Sequence, residues 1–332
     1  MTTAELLYSH VQYCEAVICF VTLLLSIYFS YKIGKVATIS KNLRIVIIVN
    51  TIMCLVVNFQ SSVFHFVPKE LYSVEAGNYV GASLSYSFML ISHYFLFLLE
   101  FKYFQIAIER LIAYREKGKY ESQGTAAAFC IFTYSAIFSA IMLTAKFIYY
   151  WTHYHYLPLD GRLIKTFNFG SSLWGLFVLF NISSLFTLAA AFIFYYIHVQ
   201  VKKDENDCHS LNVRYEIEQT KYVLNYIVSL MSIVFVLLIA VASCYGCIFY
   251  YYFYLGFDED TYEIKTVVSI QIIMLCIYNF TTMLFMIKEF PQLQKAINRD
   301  LPARMKIKTV NSIRPDAGAE VYFNQLQIFW DR

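Results

Sequence analysis

Seven long apolar runs constrain this chain more than any other feature of its sequence. A helix needs about 20 residues to cross the hydrocarbon core of a bilayer, and each run meets or nearly meets that length. The runs lack the alternation of apolar and polar residues typical of membrane-barrel strands, so they predict helices. Only 15% of the chain is charged, against roughly 25% in a soluble domain. We therefore predict an all-α, polytopic membrane protein with a bundle of seven transmembrane helices. The predicted spans cover about residues 14–31, 43–66, 80–113, 126–150, 170–201, 222–255 and 266–287.

Lysine and arginine are distributed very unevenly between the two sides of this predicted bundle. Four fall in the N-terminal segment and the loops on its side, whereas twenty fall in the other loops and the C-terminal tail. Cytoplasmic loops are the ones enriched in Lys and Arg, so the N-terminus is predicted outside and the C-terminus inside. The expected organisation is a transmembrane domain over residues 1–287 and a cytoplasmic tail over residues 288–332.

The start of the tail has the pattern of an amphipathic helix. Phe290, Leu293, Ile297 and Leu301 recur at helical spacing, and basic residues lie between them. A proline suits the first turn, and another ends the pattern. This predicts a helix over about residues 290–301 that lies in the inner membrane interface. An ordinary tail helix packed on the transmembrane domain is the alternative.

The third run ends in an adjacent carboxylate and guanidinium, Glu109 and Arg110. Long charged side chains can reach water at the end of a span, so charge costs little there. An arginine at this place can pair with a carboxylate or with carbonyl groups of a neighbouring helix, and breaking that contact could bias a two-state bundle. The simpler interpretation is boundary charge that only sets the orientation of the helix.

Two segments resemble a known family. The string ERLIAYREKGKYE is similar to the pattern that follows the third span of nematode serpentine chemoreceptors, with matches at Glu109, Arg110, Ala113, Tyr120 and Glu121. The ending AEVYFNQLQIFW resembles the tail of the Sre class, with the related Sra, Srb and Srab groups as near alternatives. The matching tail positions are Glu320, Tyr322, Phe323, Gln325, Leu326 and Trp330.

The resemblance implies a G-protein-coupled receptor for small environmental molecules or pheromones. Its partners would be a small-molecule ligand, the lipid bilayer and a heterotrimeric G protein on the cytoplasmic face. Its place would be the plasma membrane, with the cilia of chemosensory neurons as one site. Glu109, Arg110, Tyr120 and Glu121 are then the candidates for the G-protein switch. No proline interrupts any span and no N-P-x-x-Y follows Asn279, so the proline hinges of rhodopsin-like receptors are not carried over.

Ligand contacts are predicted on one stripe of the third span, because a helix returns to the same face every three to four residues. The stripe holds Met89, His93, Leu96 and Glu100 and continues to Arg110. Glu100 lies about 15 Å from Arg110 along the helix, deep in the membrane. A carboxylate there points to function by default, either binding a basic ligand or locking the bundle through a cation. A structural, hydrogen-bonded Glu is the alternative.

Other classes of protein fit the sequence less well. It has no H-E-x-x-H, no phosphate-cradling glycine loop and no clustered histidines, so no enzyme, cofactor or metal site is expected. A net charge of +3 gives no reason to expect a nucleic-acid partner. The alternative function is a ligand-gated ion channel or transporter with seven spans. Odorant channels of the insect type place the N-terminus inside, against the distribution of Lys and Arg found here.

Overall fold

The computed structural model describes residues 2–36, 39–64, 66–116, 119–120, 124–167, 173–204, 211–258 and 261–301. Within these ranges the chain is helical and has no strand. A 3₁₀ turn covers Lys69–Tyr72, and a π-helical turn covers Tyr250–Tyr254. The α-helices are α1 (Thr3–Gly34), α2 (Lys41–Phe64), α3 (Tyr79–Leu99), α4 (Lys102–Arg115), α5 (Ala126–His153), α6 (Leu159–Phe167), α7 (Leu173–Asp204), α8 (Leu211–Phe249), α9 (Tyr262–Glu289) and α10 (Pro291–Asn298).

The prediction of seven apolar helices is confirmed. In the described part of the chain, α1, α2, α3, α5, α7, α8 and α9 are each long and apolar enough to cross a membrane. Their outer surfaces keep large apolar side chains exposed, such as Phe20 on α1, Leu188 on α7 and Phe235 on α8. A soluble protein rarely exposes continuous apolar surface of this kind, whereas in a bilayer the same side chains contact lipid.

The helices close into a bundle with α4 at its centre. Helix α1 packs against α2 and α9, α9 packs against α8, and α3 packs against α5, while α4 contacts α2, α5, α7 and α8. We call the end where α1, α4, α7 and α9 finish the basic end, because the predicted cytoplasmic loops lie there. The largest apolar core lies towards it, with Ile33, Leu43 and Ile106 among its fully buried members.

The third predicted span differs from the expected single helix over residues 80–113. It breaks between α3 and α4, where the N–H of Phe101 bonds to the carbonyl of Leu98, three residues back, at 3.2 Å. This 3₁₀-type turn replaces one α-helical bond, and α4 restarts with a bond from Gln105 N–H to Phe101. Neither Gly nor Pro stands at the break, so the sequence carries no conventional signal for it.

Helix α1 begins well before the predicted first span. Thr2 and Glu5 form a capping box, in which each side chain accepts a hydrogen bond from the other residue's backbone N–H. This arrangement satisfies two of the N–H groups that a helix start leaves without partners. The apolar run at residue 14 therefore marks where the helix becomes apolar, and the cap at Thr2 sets where it starts.

The amphipathic segment after the seventh span forms α10, slightly shorter than predicted. Its apolar face is buried against the bundle, with Leu293 fully buried and Ile297 5% exposed, as in the alternative of a packed tail helix. The far end is tied to α1, because Lys32 forms an ion pair with Asp300 and Tyr28 donates a hydrogen bond to it at 3.0 Å. The hydrogen bonds from Lys32 and Tyr28 hold the pKa of the exposed Asp300 carboxyl below its ordinary value.

Candidate functional site

A buried ionic cluster lies at the basic end of α4. Arg110 donates to Glu109 through Nε, at 2.5 Å from Oε2, and through Nη2, at 2.5 Å from Oε1. Nη2 also donates to the hydroxyl of Ser40 at 2.9 Å, and the Tyr120 hydroxyl donates to Oε1 of Glu109 at 2.5 Å. Glu109, Arg110 and Tyr120 are fully buried, and Ser40 is 2% exposed. We call these four residues the Arg110 cluster.

The cluster is unusual because neighbours on a helix normally point in different directions. Glu109 and Arg110 nevertheless form a bidentate contact in the buried interior. Charge-assisted bidentate bonds are among the strongest hydrogen bonds in proteins. The removal of two charges from water is costly, and these hydrogen bonds offset part of that cost.

A second polar contact holds the same loops together. The side chain of Asn42, at the start of α2, accepts from the N–H of Ala128 at 3.1 Å and donates to the carbonyl of Gly124 at 2.8 Å. It thus fixes the beginning of α5 against α2. Together with Ser40 and Tyr120, it joins the loop before α2, the end of α4 and the loop before α5 into one unit.

Three of the four predicted switch residues are therefore brought together, namely Glu109, Arg110 and Tyr120. The fourth, Glu121, lies outside the described residues, as do the tail positions from 302 onwards. Sequence reasoning missed Ser40 and Asn42. Both precede Arg110 by about 70 positions, and no motif links them to it.

Glu100 stands at the break between α3 and α4 and is half-buried. Its carboxyl group faces the side chain of Ser183 on α7. No cation of the described chain lies within ion-pair distance of it, and Lys102 instead lies over the rings of Tyr103 and Tyr278. The structure brings Glu100 no ionic partner within the described residues. Its ligand role and the alternative of a structural Glu both stay predictions.

A small cavity adjoins the break on the side of the basic end. Its volume is about 30 Å³, which is room for roughly two water molecules. Polar atoms line part of it, from Asn50, Thr51, Lys102, Tyr226 and Thr282. The amide of Asn50 also donates to the side chain of Gln105 at 3.0 Å. This polar layer connects α2 and α4 midway between Glu100 and the Arg110 cluster.

The predicted ligand stripe divides between two packing layers. Met89, 1% exposed, belongs to a cluster with Tyr72 and Tyr86 beneath the loops at the end away from the basic end. Leu96, 8% exposed, packs with Leu143 of α5 and Leu179 of α7. The four stripe residues do not line the cavity described above, because its walls come from α1, α2, α4, α8 and α9.

His93 makes the most specific contacts of the stripe. Its Nε2 lies 2.6 Å from Nζ of Lys146 on α5, and its Nδ1 lies 3.1 Å from the carbonyl oxygen of Phe167 at the end of α6. The ring also stacks on Phe97 and meets Phe147 edge-on. The contact between His93 and Lys146 was not predictable, because nothing in the sequence sets the register of α5 against α3.

The loops over this end are tied together by Asp160 of α6. The Ser73 hydroxyl and the backbone N–H groups of Val74 and Glu75 all donate to its carboxylate, the Val74 N–H at 2.8 Å. Burial raises the pKa of Asp160, but these three hydrogen bonds together lower it below its ordinary value. The short helix α6 is thereby held against the loop before α3, and its Phe167 ring packs between Tyr86 and Phe147.

Comparison with known proteins gives no match, whether with family models, with curated proteins or with solved structures. Across the described ranges, no group of three His, Cys, Asp or Glu side chains could hold a metal ion. What the helices define is a class: the chain is an all-helical, multi-pass membrane protein whose apolar surface suits a lipid bilayer.

Proposed function

We propose that this protein is a G-protein-coupled chemoreceptor for small environmental molecules or pheromones. The observation that carries the proposal is the Arg110 cluster, in which the residues of the receptor-like pattern Glu109, Arg110 and Tyr120 share one buried network. The surplus of Lys and Arg at the same end supports a cytoplasmic position for it. The plasma membrane is the expected location, and the cilia of chemosensory neurons are one candidate site within it.

The two ends of the bundle have different roles in the proposed receptor. A ligand binds between the helices near His93 and favours the state to which it binds more tightly. His93 and Arg110 lie on one chain segment about 25 Å apart at 1.5 Å per residue. The break after Leu99 divides that segment, so α4 can shift relative to α3. Opening of the Arg110 cluster then frees the basic end to receive the G protein.

We expect Glu109→Gln to raise ligand-free nucleotide exchange on a heterotrimeric G protein by about tenfold, because a loss of about 1.4 kcal/mol from the closed state shifts the equilibrium by that factor. The loss follows from weaker hydrogen bonds to Arg110 and Tyr120 once the acceptor is uncharged. The measurement uses the purified full chain in lipid nanodiscs with a panel of Gα families, and it needs no ligand.

The matched control is Glu116→Gln, which neutralises an exposed carboxylate just after α4. It should leave exchange at the wild-type level. Equal exchange by wild type, Glu109→Gln and a protein-free control with every Gα family would contradict the proposal. Exchange raised equally by both variants would show that the buried network is not the switch.

A further inference from the structure

His93 and Lys146 form a nitrogen-to-nitrogen contact whose direction can be assigned. A carbonyl oxygen only accepts hydrogen bonds, so the Nδ1 atom that faces Phe167 must carry the ring hydrogen. In the neutral imidazole, Nε2 then carries the lone pair that accepts, and Lys146 is the donor across the 2.6 Å contact. The histidine is thus oriented as a hydrogen-bond acceptor for the lysine amine.

The surroundings of Lys146 lack a counter-ion. No carboxylate of the described chain forms an ion pair with it, and the ring of Tyr150 lies 5.2 Å from its Nζ. A cation in a membrane span is costly without a partner of opposite charge. The surroundings therefore favour the neutral amine of Lys146, whose lone pair is nucleophilic, and Nε2 of His93 is placed to relay protons from that amine during a reaction.

We propose that Lys146 is a carbonyl-capture site that forms a reversible imine with small apolar aldehydes. The amine lone pair attacks the carbonyl carbon and forms the C–N bond, while the π electrons of the carbonyl group move to its oxygen. One of the two nitrogen protons passes to that oxygen through Nε2 of His93, which gives a neutral carbinolamine. The nitrogen lone pair then expels the hydroxyl group, which leaves as water with the second nitrogen proton, again passed on by His93. A neutral amine and an aldehyde thus give one imine and one water, with no oxidant or reductant required.

The aromatic lining favours an aldehyde over an anion as the bound chemical class. A carboxylate or phosphate requires several donors to replace its hydration, whereas His93 and Lys146 are surrounded by the rings of Phe97, Phe147 and Tyr150. These rings suit an apolar chain attached to the reacting carbonyl. Lys146 is only half-buried, so a membrane-soluble aldehyde can reach it.

Capture by Lys146 stands on its own geometry, but the role of aldehydes as the sensed ligands rests on the proposed receptor function. The test uses the purified full chain in nanodiscs, octanal as the probe and cyanoborohydride to reduce any imine to a stable amine. Peptide mass spectrometry then gives the rate of labelling at each lysine. We expect Lys146 to be labelled at least about tenfold faster than the exposed Lys69, since proton transfer by a positioned base contributes at least that much.

Two comparisons sharpen the result. Lys102 is a second lysine within the bundle, but it lies over tyrosine rings, and no histidine in the described part of the chain bonds to it, so it should be labelled slowly. His93→Gln keeps hydrogen-bonding groups in place of the ring nitrogens but removes the base, and should slow labelling of Lys146 about tenfold. Lys146→Met should abolish the fast phase.

Labelling of Lys146 no faster than that of Lys69, or equal rates in wild type and His93→Gln, would overturn the capture site. Because this assay contains no G protein, its outcome is separate from that of nucleotide exchange. Fast capture without exchange would leave the site intact and remove the receptor function. Nucleotide exchange without aldehyde capture would leave the receptor function intact and remove the capture site.

Discussion

Replacing Arg110 by Met is expected to lower the free energy of unfolding by about 3–5 kcal/mol, because the fully buried Glu109 would lose its ionic partner. Met fills much of the volume of the arginine stem, so the loss measures the stranded carboxylate more than a cavity. Tyr120 would remain as a donor to Glu109, but one neutral hydrogen bond does not replace two charge-assisted ones. Unfolding of the purified protein in detergent micelles measures the change.

Two further variants distinguish the loss of the Glu109–Arg110 ion pair from the effect of replacing any arginine on α4. Arg115→Met changes an exposed arginine at the end of the same helix, and a change within about 0.5 kcal/mol is expected for such a surface site. The double variant Glu109→Gln with Arg110→Met removes both charges and should recover much of the loss. An Arg110→Met protein as stable as wild type would show that Arg110 and Glu109 are not a buried pair.

Gly81→Ala is expected to lower the free energy of unfolding by at least about 1–3 kcal/mol, because an added Cβ would overlap the backbone carbonyl of Leu71. Gly81 lies in the first turn of α3, where its N–H donates to the capping side chain of Asn78. A backbone group cannot rotate away as a flexible side chain can. The loop before α3 must therefore move, which weakens the hydrogen bond from the Val74 N–H to Asp160. Hydrogen exchange at the Val74 amide should rise as stability falls.

Gly246→Ala is the matched control for this substitution. Gly246 lies within α8, and an added Cβ there meets nothing within 4 Å. Alanine is favoured over glycine in a helix by about 1 kcal/mol, so this variant should be equally stable or more stable than wild type. If Gly81→Ala matched Gly246→Ala in stability, the close approach of the loop to α3 would be wrong.

The sequence determines the helices of this fold better than it determines their interruptions. Seven apolar runs predict the seven helices because a span must be long and apolar to satisfy its backbone in lipid. The break after Leu99 was not predictable, because no Gly or Pro stands there. It arises from one backbone hydrogen bond that reaches three residues back instead of four. The early start of α1 could have been found, since Thr2 and Glu5 have the spacing of a capping box.

The residues of the candidate sites also differ in how well the sequence predicts their contacts. Glu109, Arg110 and Tyr120 could be grouped from a local pattern because they lie within 12 positions of one another. Ser40 and Lys146 could not, because their contacts depend on how α2 and α5 are placed against the α3–α4 segment. Periodicity put Met89, His93, Leu96 and Glu100 on one stripe, but it could not show that Met89 and Leu96 would pack in different layers.

The orientation of the bundle tests the central claim most directly, since a G protein can bind the Arg110 cluster only from the cytosol. Epitope tags at each terminus of the full chain would be detected by antibodies in intact and in permeabilised cells. We expect antibodies to label the N-terminal tag in intact cells and the C-terminal tag only after permeabilisation. The reverse pattern would place the Arg110 cluster outside the cell and contradict the receptor function.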